Sequence, residues 1–112
     1  MDIRVDIKGL DVLQKQIEGV RKSAALSVFN EWIDRITMSA KQLCNDPDGK
    51  RIKLIKTEQG KSSYNLSDKE AVDCVIESID KHVASMPATQ QRVFKEVRGW
   101  LEAKKAEFKT SF

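Results

Sequence analysis

The sequence predicts an α+β fold: a small antiparallel sheet, made of an N-terminal strand and a central hairpin, packed against a long helix and two C-terminal helices. Three observations carry this. Ile3, Val5 and Ile7 alternate with Asp2, Arg4, Asp6 and Lys8, the period-two pattern of a strand with one wet face. Apolar residues then recur at spacings of three and four up to an abrupt stop at Asn45-Asp46-Pro47-Asp48-Gly49. A short basic stretch follows, and after it come two more amphipathic segments.

The chain has 112 residues, 40% of them hydrophobic and 33% charged. That is one domain's worth, and a chain of this size buries roughly 65% of the surface it exposes when unfolded. Residues 1–112 are therefore read as a single α+β domain. No apolar run approaches the roughly 18 residues of a membrane span, and Met1-Asp2-Ile3-Arg4 lacks the apolar core of a signal peptide. The expected location is cytoplasmic. On that basis Cys44 and Cys74 are expected as free thiols rather than a disulfide. The net charge of +3 is too small to announce a nucleic-acid partner by itself.

Gly9 ends the first strand, and Asp11 followed by Gln14 resembles a capping box that opens a helix. Leu13, Ile17, Val20, Ala24 and Val28 form one apolar row; Ala25, Phe29, Trp32, Ile36, Ala40 and Leu43 form a second. Gly19 costs roughly 1 kcal/mol inside a helix, so a short helix followed by a long one is expected, with the break near Gly19 to Ser23. Pro47 and Gly49 stop the long helix. Arg51 to Lys56 and Ser62 to Leu66 then read as a hairpin, with Gly60 at the positive-φ position of its loop. Ser67 and Glu70 form a second capping box ahead of Val72, Val75, Ile76, Ile79, Val83 and Met86. Beyond Pro87, the apolar positions Val93, Phe94, Val97, Trp100, Leu101 and Phe108 mark a final helix with Arg92, Lys95, Glu96, Glu102, Lys104 and Lys105 on its wet side. Both tryptophans are expected in the core.

No constellation in the sequence supports catalysis, so the chain is read as no enzyme and as needing no cofactor. His82 lies beside an apolar stripe with no nucleophile assigned to it, which points to a structural or solvent-edge role. Cys44, Cys74 and His82 are too few for a structural zinc site, and Asp46 with Asp48 falls short of a calcium loop. The glycines at 9, 19, 49, 60 and 99 form no phosphate loop. The hairpin is the best candidate for a partner surface: Lys50, Arg51, Lys53, Lys56 and Lys61 stand against Glu58 alone, a local charge of +4, and Tyr64 could stack on a base. The bland reading is that lysines protect an exposed strand edge from aggregation.

Ile7-Lys8-Gly9-Leu10-Asp11-Val12-Leu13, a long helix, and Ala40-Lys41-Gln42-Leu43 through Pro47-Asp48-Gly49-Lys50-Arg51-Ile52 resemble the opening of a tail-component and head-tail joining family of long-tailed bacteriophages. The resemblance covers the first half of the chain. It differs at Asp48, where a threonine commonly precedes the glycine, and in the two strong helices that follow the hairpin. It implies a non-enzymatic virion or prophage protein forming rings between head and tail, with itself or other virion proteins as partners and no small-molecule substrate. Residues Lys50 to Leu66 would supply a contact. The alternative is a small nucleic-acid-binding regulator using the basic hairpin 50–64, joined by Lys104, Lys105 and Lys109.

Overall fold

A computed structural model describes residues 3–6, 22–56 and 62–109. The element order is β1 (Ile3–Asp6), α1 (Lys22–Leu43), β2 (Ile52–Lys56), β3 (Ser62–Leu66), α2 (Lys69–His82), a 3-10 turn (Val83–Ser85) and α3 (Ala88–Lys109). The α+β class stands, with the N-terminal strand and the central hairpin in one sheet of order β1-β3-β2. Both pairings are antiparallel: Ile3 lies opposite Leu66 and Val5 opposite Tyr64, while Ile52 and Leu54 meet the same two residues from the other side. Ile7, the Asp11 capping box, the helix expected ahead of α1 and the Gly60 turn lie outside the described residues.

The core follows most of the predicted apolar spacing, but Ile33, in neither predicted row of α1, is fully buried, and Leu43, at the end of the second row, is 36% exposed. Ile52, Tyr64 and Leu66 form one sheet face and are fully buried. Against them pack Phe29, Ile33, Ile36 and Ala40 of α1, Val72, Val75 and Ile79 of α2, and Val93, Phe94, Val97 and Leu101 of α3. At about 25 cal/mol per Å² of apolar surface, each buried Ile, Leu or Val side chain is worth about 1.5–3 kcal/mol, so this cluster is what makes the fold favourable. α2 packs between α1 and α3. The Phe29 and Phe94 rings stack with centroids 5.2 Å apart, joining α1 to α3. Ion pairs between Asp73 and Lys105 and between Asp80 and Arg98 lie along the seam between the antiparallel α2 and α3, although such exposed pairs add little stability.

Three expectations are corrected. Cys44 and Cys74 form a disulfide, their Cα atoms 5.9 Å apart, where free thiols were predicted. The prediction rested on compartment alone. In the fold Cys44 follows the last turn of α1, Cys74 sits on the second turn of α2, and both belong to the faces those helices bury against each other. The cap of α2 is Asp68 rather than Ser67: Asp68 accepts from the Ala71 N–H at 2.8 Å, Ser67 donates its hydroxyl to Asp68, and Glu70 pairs with Arg51 instead of reaching back. Trp100 is 36% exposed, because Val97 and Leu101 already take the positions of α3 that face the core. Trp32 is only partly buried, its ring covered by the Arg35 guanidinium at 4.9 Å.

Among the described residues no helix is long and apolar enough to cross a membrane, and no group of side chains could hold a metal ion.

Candidate functional site

The base of the β2–β3 hairpin is where the backbone changes direction most sharply, and its geometry begins at the end of α1. Asn45 takes a positive φ of 52°, the Asn45 N–H donates to Gln42 and the Asp46 N–H to Lys41, a Schellman-type ending that consumes two carbonyls the helix would leave unmet. Gly49 also has positive φ, at 67°, and a Cβ there would meet the Lys41 ammonium and the Ile52 carbonyl. Between them, the buried carboxylate of Asp46 accepts three successive N–H groups, from Lys50 at 3.0 Å, Arg51 at 3.1 Å and Ile52 at 3.0 Å. Burial pushes the Asp46 carboxyl up, but the donors Ile52, Arg51 and Lys50 and the Arg51 charge outweigh it, leaving Asp46 below the usual carboxylate range.

Arg51 closes the junction. Its Nε and Nη2 donate to the two oxygens of Asp68 at 2.9 Å each, Nη2 lies 3.3 Å from Glu70, and Nη1 donates to the Cys44 carbonyl at the C-terminus of α1. A cation is favoured at that helix end, where carbonyl dipoles converge. The hydrogen bond from Arg51, assisted by the Ala71 N–H and the Ser67 hydroxyl against the cost of burial, holds the Asp68 carboxyl at about 2. Asp68 in return raises the Arg51 guanidinium above its ordinary value. α1, β2 and α2 thus converge on one charged knot beside the Cys44–Cys74 disulfide.

The predicted surface residues separate accordingly. Arg51 is engaged inside the fold. Tyr64 is fully buried, its phenol 2.8 Å from the Thr37 hydroxyl, so it offers no stacking face; burial also raises its pKa. The reason is register: Tyr64 alternates with Leu66 on the core face of the central strand. Lys56 is exposed but paired with Asp34 of α1 at 2.6 Å. Lys50 and Lys53 are exposed and make no ion pair with a described residue. Lys61 lies outside the described residues. Sequence reasoning missed Asp46, which reads as an ordinary turn aspartate, and Ser78, a buried hydroxyl that donates to the Ile36 carbonyl at 2.8 Å. For Asp46 the available signal was the three residues Lys50 to Ile52 entering a strand at the helical stop, whose N–H groups need an acceptor.

His82 is half-buried, with Nδ1 donating to the Ser78 carbonyl at 2.8 Å. A carbonyl oxygen cannot donate, so the Nδ1 position carries the hydrogen.

β2 is an edge strand, and its ladder sense can be read. The Ser67 N–H donates to the Arg51 carbonyl, so in an antiparallel pair that carbonyl and the backbone groups of Lys53 and Ile55 aim at β3. Ile52, Leu54 and Lys56 therefore aim theirs outward, consistent with the Ile52 N–H meeting Asp46 instead of β3. Among the described residues no strand takes up that outer edge. Its outer sheet face shows Lys53, opposite Asn65, and Ile55, opposite Ser63 and 38% exposed. On the neighbouring surface Met38 is 64% exposed in an open groove with Lys41, Gln42, Asn45 and Pro47. No protein-family model matches this chain, and neither a curated protein nor a solved structure matches it.

Proposed function

We propose that this chain is a non-enzymatic assembly protein that works through protein–protein contacts, and within that class a head–tail joining or tail-completion component of a long-tailed phage or prophage. The observation that carries the reading is the outer edge of β2, which pairs with no strand among the described residues and presents Lys53 and Ile55 on a base held by Asp46 and Arg51. A ring or sleeve needs such a surface, because its contacts repeat around an axis between unlike faces. The phage setting is supported by the chain order alone: a strand, then a long helix ending at a Pro-and-Gly turn that enters the sheet.

The nucleic-acid alternative is weaker within 50–64. Arg51 and Lys56 are neutralised by acidic neighbours and Tyr64 cannot stack, so it would rest on Lys50, Lys53 and Lys61. Sedimentation over a range of concentrations tests the assembly reading, comparing the native chain with the double variant Lys50→Glu and Lys53→Glu. The native chain is expected to gain mass with concentration and the variant to lose that gain. A monomer at every concentration would count against self-assembly.

A further inference from the structure

We infer that the outer edge of β2 accepts, as an added antiparallel strand, an extended segment of a partner protein carrying an apolar residue and an acidic residue two positions apart. This rests on the assembly reading and names the partner it would take.

Leu54 supplies the anchor. Its N–H and C=O point away from β3 and meet no described residue, so an incoming residue opposite Leu54 can exchange two backbone hydrogen bonds with it. Toward Ile52 the edge is already occupied, because the Ile52 N–H belongs to Asp46. Available positions therefore run from Leu54 to Lys56.

Side chains select the occupant. In an antiparallel pairing the residue before the one opposite Leu54 faces Ile55, and the residue after it faces Lys53. Ile55 is exposed apolar surface that a β-branched or aliphatic side chain would cover. Lys53 has only the neutral Asn65 across the ladder and no described ion partner, so a carboxylate opposite it gains a cross-strand pair. Lys50, also without a described counter-ion, adds to the positive field at that end. Lys56 does not contribute, being held by Asp34. The segment therefore reads, from its N-terminus, apolar, any residue, acidic. A second copy of β2 fits the edge less well. Paired antiparallel about Leu54, it would set its Lys53 opposite Ile55 and its Ile55 opposite Lys53, so neither side chain would meet the neighbour it selects.

The test titrates nine-residue peptides into the folded chain at low salt and follows backbone amide shifts. One peptide carries Val-Thr-Glu at its centre, a second Val-Thr-Lys, a third Glu-Thr-Val, and a fourth is the first with the central threonine N-methylated. The first is expected to saturate, with shifts concentrated at Leu54 to Lys56. The lysine and reversed peptides are expected to bind about fivefold more weakly or worse, from the lost and repulsive cross-strand pairs. N-methylation, which removes the donor to Leu54, is expected to abolish binding. The variant Lys53→Glu, which alters an exposed side chain outside the core and leaves the fold intact by circular dichroism, is expected to reverse the preference in favour of the lysine peptide.

Equal binding of the glutamate and lysine peptides, insensitivity to N-methylation, or no saturation by the first peptide overturns the inference. Sedimentation separates the two claims: a chain that associates with itself but ignores the peptides defeats this inference and leaves the assembly reading standing. A chain that binds the first peptide yet stays monomeric does the reverse for self-assembly.

Discussion

Arg51 holds Asp68 across seventeen residues through two guanidinium nitrogens, each 2.9 Å from its own carboxylate oxygen, and the oxygen bound by Nη2 is also the one that caps α2 through the Ala71 N–H. One side chain therefore ties the start of β2 to the first turn of the following helix. Replacing Arg51 with methionine keeps the stem but loses the fork. Because both partners are partly solvated, the expected cost is about 1–2 kcal/mol, read as a lower midpoint in urea. Arg51→Lys is expected to recover less than half of it, since an ammonium cannot span both oxygens.

Acid should loosen the same junction. Asp68 sits at about 2 in the folded chain, below its unfolded value near 3.9, so the folded state binds its proton less readily. Its contribution is fully present above pH 4 to 5 and is lost as pH falls toward 2; the lowered Asp46 carboxyl acts with the same sign. Thermal melts between pH 6 and pH 2 are expected to show a falling midpoint. In Asp68→Asn the fall should be shallower and start from a lower value at pH 6. A slope identical to the native chain would contradict the assignment.

Removing the Asp46 carboxylate should be among the most damaging single changes outside the apolar core. Asp46→Ala leaves three N–H groups without an acceptor at a site that is 6% exposed. The expected loss is about 2–4 kcal/mol by chemical denaturation. Asp46→Asn, which keeps one acceptor oxygen, should cost less.

Thr37 and Tyr64 predict an asymmetry. The Thr37 hydroxyl donates to the Ile33 carbonyl at 2.7 Å, so the proton shared with Tyr64 must come from the phenol. Tyr64→Phe leaves the threonine donor satisfied and is expected to cost about 1 kcal/mol. Thr37→Val strands a buried phenol donor and is expected to cost more, up to about 3 kcal/mol. Equal losses in urea melts would argue against this direction of donation.

The Cys44–Cys74 disulfide closes a sequence separation of 30 residues. Chain-entropy reasoning gives about 3.5 kcal/mol for a loop of that length. The double variant Cys44→Ala and Cys74→Ala is expected to unfold at lower denaturant than the oxidised native chain by about that amount. Alkylation of the unreduced, unfolded native protein should find no thiol.

Much of this fold was legible because apolar spacing reports which face of an element is buried. The alternation from Ile3 and the rows through Phe29, Ile36, Val72, Val75 and Val97 all led to elements of the predicted kind. Illegible features depended on contacts between distant segments. Whether Cys44 meets Cys74 depends on how α1 crosses α2, whether Arg51 is free depends on where Asp68 lands, and Tyr64 is core because its face of β3 meets Thr37 of α1. Composition marked the hairpin as a basic surface; only the three-dimensional arrangement separates its internally neutralised cations from Lys50 and Lys53.

The crosslink also encloses the entire β2–β3 hairpin and the first turn of α2 within one covalent ring. A protease that nicks the backbone anywhere inside that ring yields two pieces that still travel together on a denaturing gel. They part only when a reductant is added, so a fragmentation pattern visible solely after reduction would map cleavage to the hairpin side of the molecule.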